Sequence, residues 1–215
     1  MKLALLIIVT VTLLSFVIFH FTTDNMQGEA TQMPWHITVH DGNHVEVFGI
    51  VLNQTSLEQA REHFGQLEAL ALYQNTSGVY NLEAYFGRVE IGRFKARIIA
   101  NLEASQDDLE ALTTHAIKRV KTEEGSDRWT LNPDQLVGQG LRKITTLSYI
   151  PDYSGLESDF ILQKFGEPAS RLPVSETAQL WAYPNKGVRV LIDSQGREIF
   201  EYMSPDHFKL LEGER

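Results

Sequence analysis

The sequence predicts an α+β protein: two similar units, each a helix laid on an antiparallel sheet, behind one N-terminal transmembrane helix. Three observations carry that prediction. Apolar and polar residues alternate through several short runs, Phe94–Leu102 being the clearest, and a period of two is the mark of a half-buried strand. Two short stretches with helical spacing open on a capping residue and stop at a glycine, Thr55 to Gly65 and Ser154 to Gly166. A charge-free run, Leu3–Phe21, stands at the start of the chain.

Preceded by Lys2 and followed by the polar run Thr22–Gln32, the apolar run would span roughly 28 Å as a helix, about the thickness of a bilayer core. Its length exceeds the apolar core of a cleavable signal, so the expectation for residues 1–23 is an uncleaved signal anchor. Lys2 on one side and the acidic chain on the other predict a single-pass bacterial inner-membrane protein with a cytoplasmic N-terminus and a periplasmic domain. The alternative is a periplasmic or secreted product of signal cleavage. Residues 24–33 read as a polar linker.

A net charge of −9 argues against nucleic acid as a partner, and a hydrophobic share of 43% is that of a chain with a packed core. The chain has no cysteine, which excludes disulfides, thiolate metal sites, a Cys nucleophile and a lipidated N-terminal Cys.

The first unit is expected over residues 34–121. Trp35–His40 and His44–Leu52 alternate around Asp41-Gly42-Asn43, a hairpin signal. Thr55-Ser56-Leu57-Glu58 reads as a capping box, with Leu57, Ala60 and Phe64 on the apolar side of its helix and Gly65 as the stop. Leu67–Gln74 reads as a strand. Tyr80, Leu82, Ala84 and Phe86 alternate with polar neighbours, and a turn is expected over Gly87–Gly92 before the strand Phe94–Leu102. Ser105 and Asp108 open a further helix whose stripe of Leu109, Leu112, Ala116 and Val120 carries it to about residue 121. Residues 122–140 read as a connector.

The second unit is expected over residues 141–215. Arg142–Ile150 reads as a strand ended by Pro151, and Ser154-Gly155-Leu156-Glu157 as a second capping box. Phe160, Ile161 and Phe165 supply the apolar side of the helix, and Gly166 and Pro168 stop it. Gln179–Tyr183, Val188–Asp193 and Glu198–Met203 read as strands, and Ser204-Pro205 opens a terminal helix. Strand, capped helix, Phe-Gly stop and three strands recur in both halves, the pattern a tandem repeat would leave.

Phe165-Gly166-Glu167-Pro168, Trp181-Ala182-Tyr183 and Gly187-Val188-Arg189-Val190-Leu191-Ile192-Asp193, followed by Gly196-Arg197, resemble the small helix-plus-three-strand domain of the SmpA/OmlA outer-membrane assembly lipoproteins. β-Lactamase inhibitory proteins carry a tandem pair of similar domains. The resemblance covers residues 154–203 and implies a non-enzymatic, protein-binding domain of the bacterial envelope. Those lipoproteins begin with a lipidated Cys, which this chain lacks.

Three sets of side chains are candidates for chemistry. His36, His40 and His44, beside Asp41, put imidazoles on one hairpin, a donor set for Zn²⁺ or Cu²⁺ whose spacing matches no established ligand motif. Arg93, Lys95 and Arg97 make a basic stripe on one strand face, fit for an acidic partner, for a phosphate-bearing lipid, or for pairing with Glu83 or Glu90 across the sheet. Tyr85, Trp181 and Tyr183 are aromatic anchors of the kind that dominate protein interfaces. The chain has no G-x-S-x-G elbow, no H-E-x-x-H and no phosphate-binding glycine loop, although a Ser/His/Asp triad drawn from distant positions leaves no such mark.

The expected function is thus a tethered, non-catalytic accessory or scaffold domain whose partner is another envelope protein, with the membrane met through residues 3–21. No cofactor is expected. The alternatives are a metal-binding protein built on the histidine hairpin and a hydrolase with a dispersed triad.

Overall fold

A computed structural model describes residues 33–123, 125–153, 156–195 and 198–208. Three strands, β1 (Thr38–His40), β2 (His44–Val47) and β3 (Ile50–Val51), form a small sheet in that order. Its second turn holds Phe48 and Gly49 at φ 54° and 77°, the mirror-image turn that suits the twist of a tight hairpin. Helix α1 (Leu57–Phe64) follows, opened by a capping box. The box sits one residue later than expected: Ser56 accepts from the Gln59 amide and Gln59 accepts from the Ser56 amide, while Thr55 accepts from the Val51 amide.

The remaining strands are β4 (Ala69–Gln74), β5 (Tyr80–Ile91), β6 (Phe94–Leu102), β7 (Lys118–Lys121), β8 (Asp127–Thr130), β9 (Ile144–Pro151), β10 (Ser170–Pro173), β11 (Ala178–Tyr183), β12 (Val188–Asp193) and β13 (Ile199–Met203). All ten pair antiparallel in one sheet of order β10-β11-β12-β13-β9-β6-β5-β4-β8-β7. Helices α2 (Gln106–Thr113), α3 (Pro133–Leu136) and α4 (Ser158–Phe165) lie in the connections, and residues 205–208 are helical behind the Ser204 cap.

This architecture corrects the expected α+β class. Strands dominate, no α-helix named here exceeds eight residues, and the two expected units are not separate helix-on-sheet copies. β6 pairs with β9 along its length, from Ala96–Pro151 to Leu102–Ile144, and so merges both halves into a single sheet. The likeness of the halves is local. α1 and α4 each have eight residues and stop at a glycine of nearly the same backbone shape, Gly65 at φ 84° and ψ −155°, Gly166 at φ 80° and ψ −165°. The strands before them differ: Ile50–Val51 belongs to the small sheet, and Ile144–Pro151 to the large one.

Further differences have local causes. β5 runs on through the expected turn because Gly87, at φ 73°, absorbs a bulge, and the turn falls at Gly92. α2 ends at Thr113, short of the expected residue 121. Lys118–Lys121 instead pairs with Asp127–Thr130 as a hairpin, with Arg119 and Lys121 both bonded to Asp127, at 2.7 and 3.4 Å. The expected connector thus contains β8, α3 and a 3-10 turn. α4 starts at Ser158 with Glu157 as its cap, and the capping box expected at Ser154 and Gly155 lies outside the described residues.

No helix of the described residues is long and apolar enough to cross a membrane. That finding goes against the expected membrane, signal-anchor and inner-membrane assignments. The run 3–21 that carried them lies outside the described residues.

One face of the large sheet is covered. Leu82, Ala84, Ile98, Ala100, Leu147 and Tyr149 stand on it, continued by Phe200, Tyr202, Val190 and Trp181 in register. Onto this face pack the small sheet through Phe48, α1 through Phe64, α2 through Leu109 and α4 through Phe165. Each such side chain contributes about 1.5–3 kcal/mol by leaving water.

Candidate functional site

The parity that sends Leu82, Ile98 and Tyr149 into the core sends their neighbours to the opposite face. There β4, β5, β6 and β8 present Tyr73, Glu83, Tyr85, Ile99, Asn101 and Arg128, and further across stand Ser148, Glu201 and Arg189. None of the helices named above packs on this side through the core cluster. Asn101 donates to Thr146 at 2.8 Å across β6 and β9, which fixes its amide.

The middle of the face is hollowed. A cavity of about 240 Å³ is lined by Ala69, Ala71 and Tyr73 of β4, Glu83 and Tyr85 of β5, Ile99 of β6 and Arg128 of β8. Its depth comes from two alanines: Ala69 stands opposite Tyr85 and Ala71 opposite Glu83, so large groups on one strand face small ones on the next. Arg128 lies opposite Tyr73, its guanidinium carbon 5.9 Å from the ring centroid.

Electrostatics there are those of a partly dry site. Burial raises the pKa of Glu83, and Glu201 adds to the rise while Arg128 opposes it. Burial likewise raises that of the Tyr73 hydroxyl, again against Arg128. Four side-chain atoms among the described residues are buried without a hydrogen-bond partner, and three of them, Arg97 Nε, Asn101 Oδ1 and Arg128 Nε, belong to this face. A buried polar atom left so costs free energy until something meets it.

The expected site residues divide between the two faces. Tyr85, Lys95 and Arg97 lie on the open one. Lys95 bonds Glu90 at 3.0 Å, the cross-strand pairing weighed from the sequence, and Arg97 stands opposite Arg88, whose charge is met by Asp152. Arg93 sits in the turn between β5 and β6. Trp181 and Tyr183 are on the covered face at 5% and 4% exposure, opposite Val190 and Val188. Arg171 stacks on Trp181 at 4.5 Å, and the Tyr183 hydroxyl donates to the Gly166 carbonyl at 3.2 Å. The two are not brought together with Tyr85.

The histidines of the small sheet are dispersed. His40 and His44 are opposite each other in the β1–β2 register, but His40 Nε2 meets Glu46 Oε2 at 2.6 Å, and His36 stands edge-on to Trp35. Among the described residues no group of three or more His, Asp or Glu is arranged to hold a metal ion.

Sequence reasoning missed Tyr73, Glu83 as a lining group, and Arg128. The available signal was Ala69-x-Ala71 alternating with Leu70 and Leu72, a strand whose outer side is bare. No family model matches this chain, and no curated protein or solved structure matches it at a significant level.

Proposed function

We propose that the protein is a non-catalytic binding module that docks another protein on the open face of its ten-stranded sheet. The observation that carries this reading is the asymmetry of the sheet. One side is sealed by the small sheet and the helices, while the other holds tyrosines, arginines and buried polar atoms that the described chain leaves unmatched. Tyr and Arg are the residue types that anchor protein interfaces. The resemblance of residues 154–203 to non-enzymatic binding domains supports the same reading. The groups gathered at the hollow can donate, accept and stack. Among the described residues the histidines lie off this face, so the common general base is not part of it.

The test is site-specific photo-crosslinking in the source cells. A crosslinker at Tyr85, on the open face, is expected to capture a discrete protein, and the adduct is expected to vanish with Arg97→Glu. A crosslinker at Glu62, on the exposed side of α1, is expected not to capture it. The same adducts from both positions, or none from Tyr85, would refute the reading.

A further inference from the structure

We propose that the hollow over Ala69 and Ala71 receives one phenol side chain, a tyrosine of the docked protein; this rests on the docking reading above. Size comes first. At about 240 Å³ the hollow is smaller than the roughly 300–1,000 Å³ of pockets that enclose a whole ligand, so it suits a single projecting side chain. Its floor is two methyl groups, and Tyr85 and Ile99 stand beside them, an apolar bed for a flat ring.

The polar groups choose among rings and cations. Glu83 makes no hydrogen bond within the described residues and offers an acceptor. The Arg128 guanidinium lines the hollow and offers donors. A phenol hydroxyl donates once and accepts from another group, and so meets both. A phenylalanine ring would fill the space and leave both unmatched, which is costly in a site withdrawn from water. An arginine or lysine would satisfy Glu83 but bring a second positive charge beside Arg128.

The experiment uses the full chain and three probes: p-cresol for a tyrosine side chain, toluene for its hydroxyl-free counterpart and propylguanidinium for arginine. Methyl NMR signals of Ala69, Ala71 and Ile99 report on the hollow. Saturable shifts with p-cresol are expected, with affinity at least about tenfold above toluene, the value of a hydrogen bond to a charged group. Glu83→Leu, shown to be folded by its spectrum, is expected to lose that preference. Equal affinity for toluene, tighter binding of propylguanidinium, or no saturable shift with p-cresol overturns the assignment. The two readings fail separately: crosslinking at Tyr85 with a hollow that prefers another probe removes the phenol alone, whereas cresol binding with no adduct at Tyr85 removes the docking.

Discussion

Phe48 lies stacked on Tyr149, ring centroids 5.2 Å apart, although its own backbone stands at φ 54°. A bulky residue in the left-handed region is strained, and here the strain is held by packing: Tyr202 closes on the same ring edge-on at 5.8 Å. Phe48 is the pin between the small sheet and the covered face. Phe48→Ala is therefore expected to cost about 3–5 kcal/mol, read from urea denaturation, because the rings around it close only partly on the space left behind.

Gly187 gives a second test of the same junction. It is left-handed at φ 65°, and a Cβ there would run into the Val45 side chain and stand 2.5 Å from the Met203 carbonyl oxygen. Gly138 is also left-handed, at φ 86°, with nothing within 4 Å of such a Cβ. Gly138→Ala should cost only the backbone penalty, about 1–2 kcal/mol. Gly187→Ala should cost that plus about 1–3 kcal/mol of overpacking. Equal losses for the two would show that the small sheet does not press on the β12 hairpin.

Alkaline pH should unfold the protein through its tyrosines. Tyr202 is fully buried and its hydroxyl donates to the Pro34 carbonyl at 2.8 Å, and the Tyr149 and Tyr153 hydroxyls lie 3.1 Å apart. Burial holds Tyr202 and Tyr149 far above the ordinary tyrosine pKa of about 10 and pushes Tyr183 to about 12. The native state thus keeps protons that the unfolded chain releases. The stability that the tyrosines contribute is complete below pH of about 10 and falls as pH rises from there toward the native values. Tyr202→Phe should flatten that fall. At neutral pH it should also cost about 1–3 kcal/mol, because the Pro34 carbonyl is left unpaired. Absorbance of tyrosinate against circular dichroism would follow both.

Glu83 should behave as a group kept for use and not for stability. Its pKa is raised, so the native state binds a proton that the unfolded chain has lost, and stability falls as pH climbs from the ordinary carboxyl range through the native value. Glu83→Gln removes the charge and should raise the urea midpoint at pH 7, with the gain gone at pH 4. A lower midpoint at pH 7 would mean that the charge is paired to advantage in the free protein.

The strands were legible where alternation is strict. Leu82 and Ala84, or Ala96, Ile98 and Ala100, identify a buried side without any knowledge of the partner strand. Parity does not say which of two sides is covered, which is why Trp181 and Tyr183 read equally well as a surface pair. The ten-stranded sheet was out of reach for another reason. Its joint is β6 against β9, and no local pattern in either strand names the other across the residues between Leu102 and Ile144. The stripe Leu109, Leu112, Ala116 and Val120 misled because spacing at three and four residues also fits a helix of two turns followed by a turn and an edge strand. The hollow depended on registers, Ala69 with Tyr85 and Arg128 with Tyr73, that only the folded sheet supplies.

A sheet of ten strands that does not close on itself has two rims, and each is guarded. At one end β7 carries Lys118, Arg119 and Lys121, and at the other the four-residue β10 finishes in Pro173. Like charges on the first and a missing amide on the second discourage growth by strand addition. Stacking of copies end to end is thereby resisted at both margins, and the breadth of the sheet is left as the ground on which another molecule would settle.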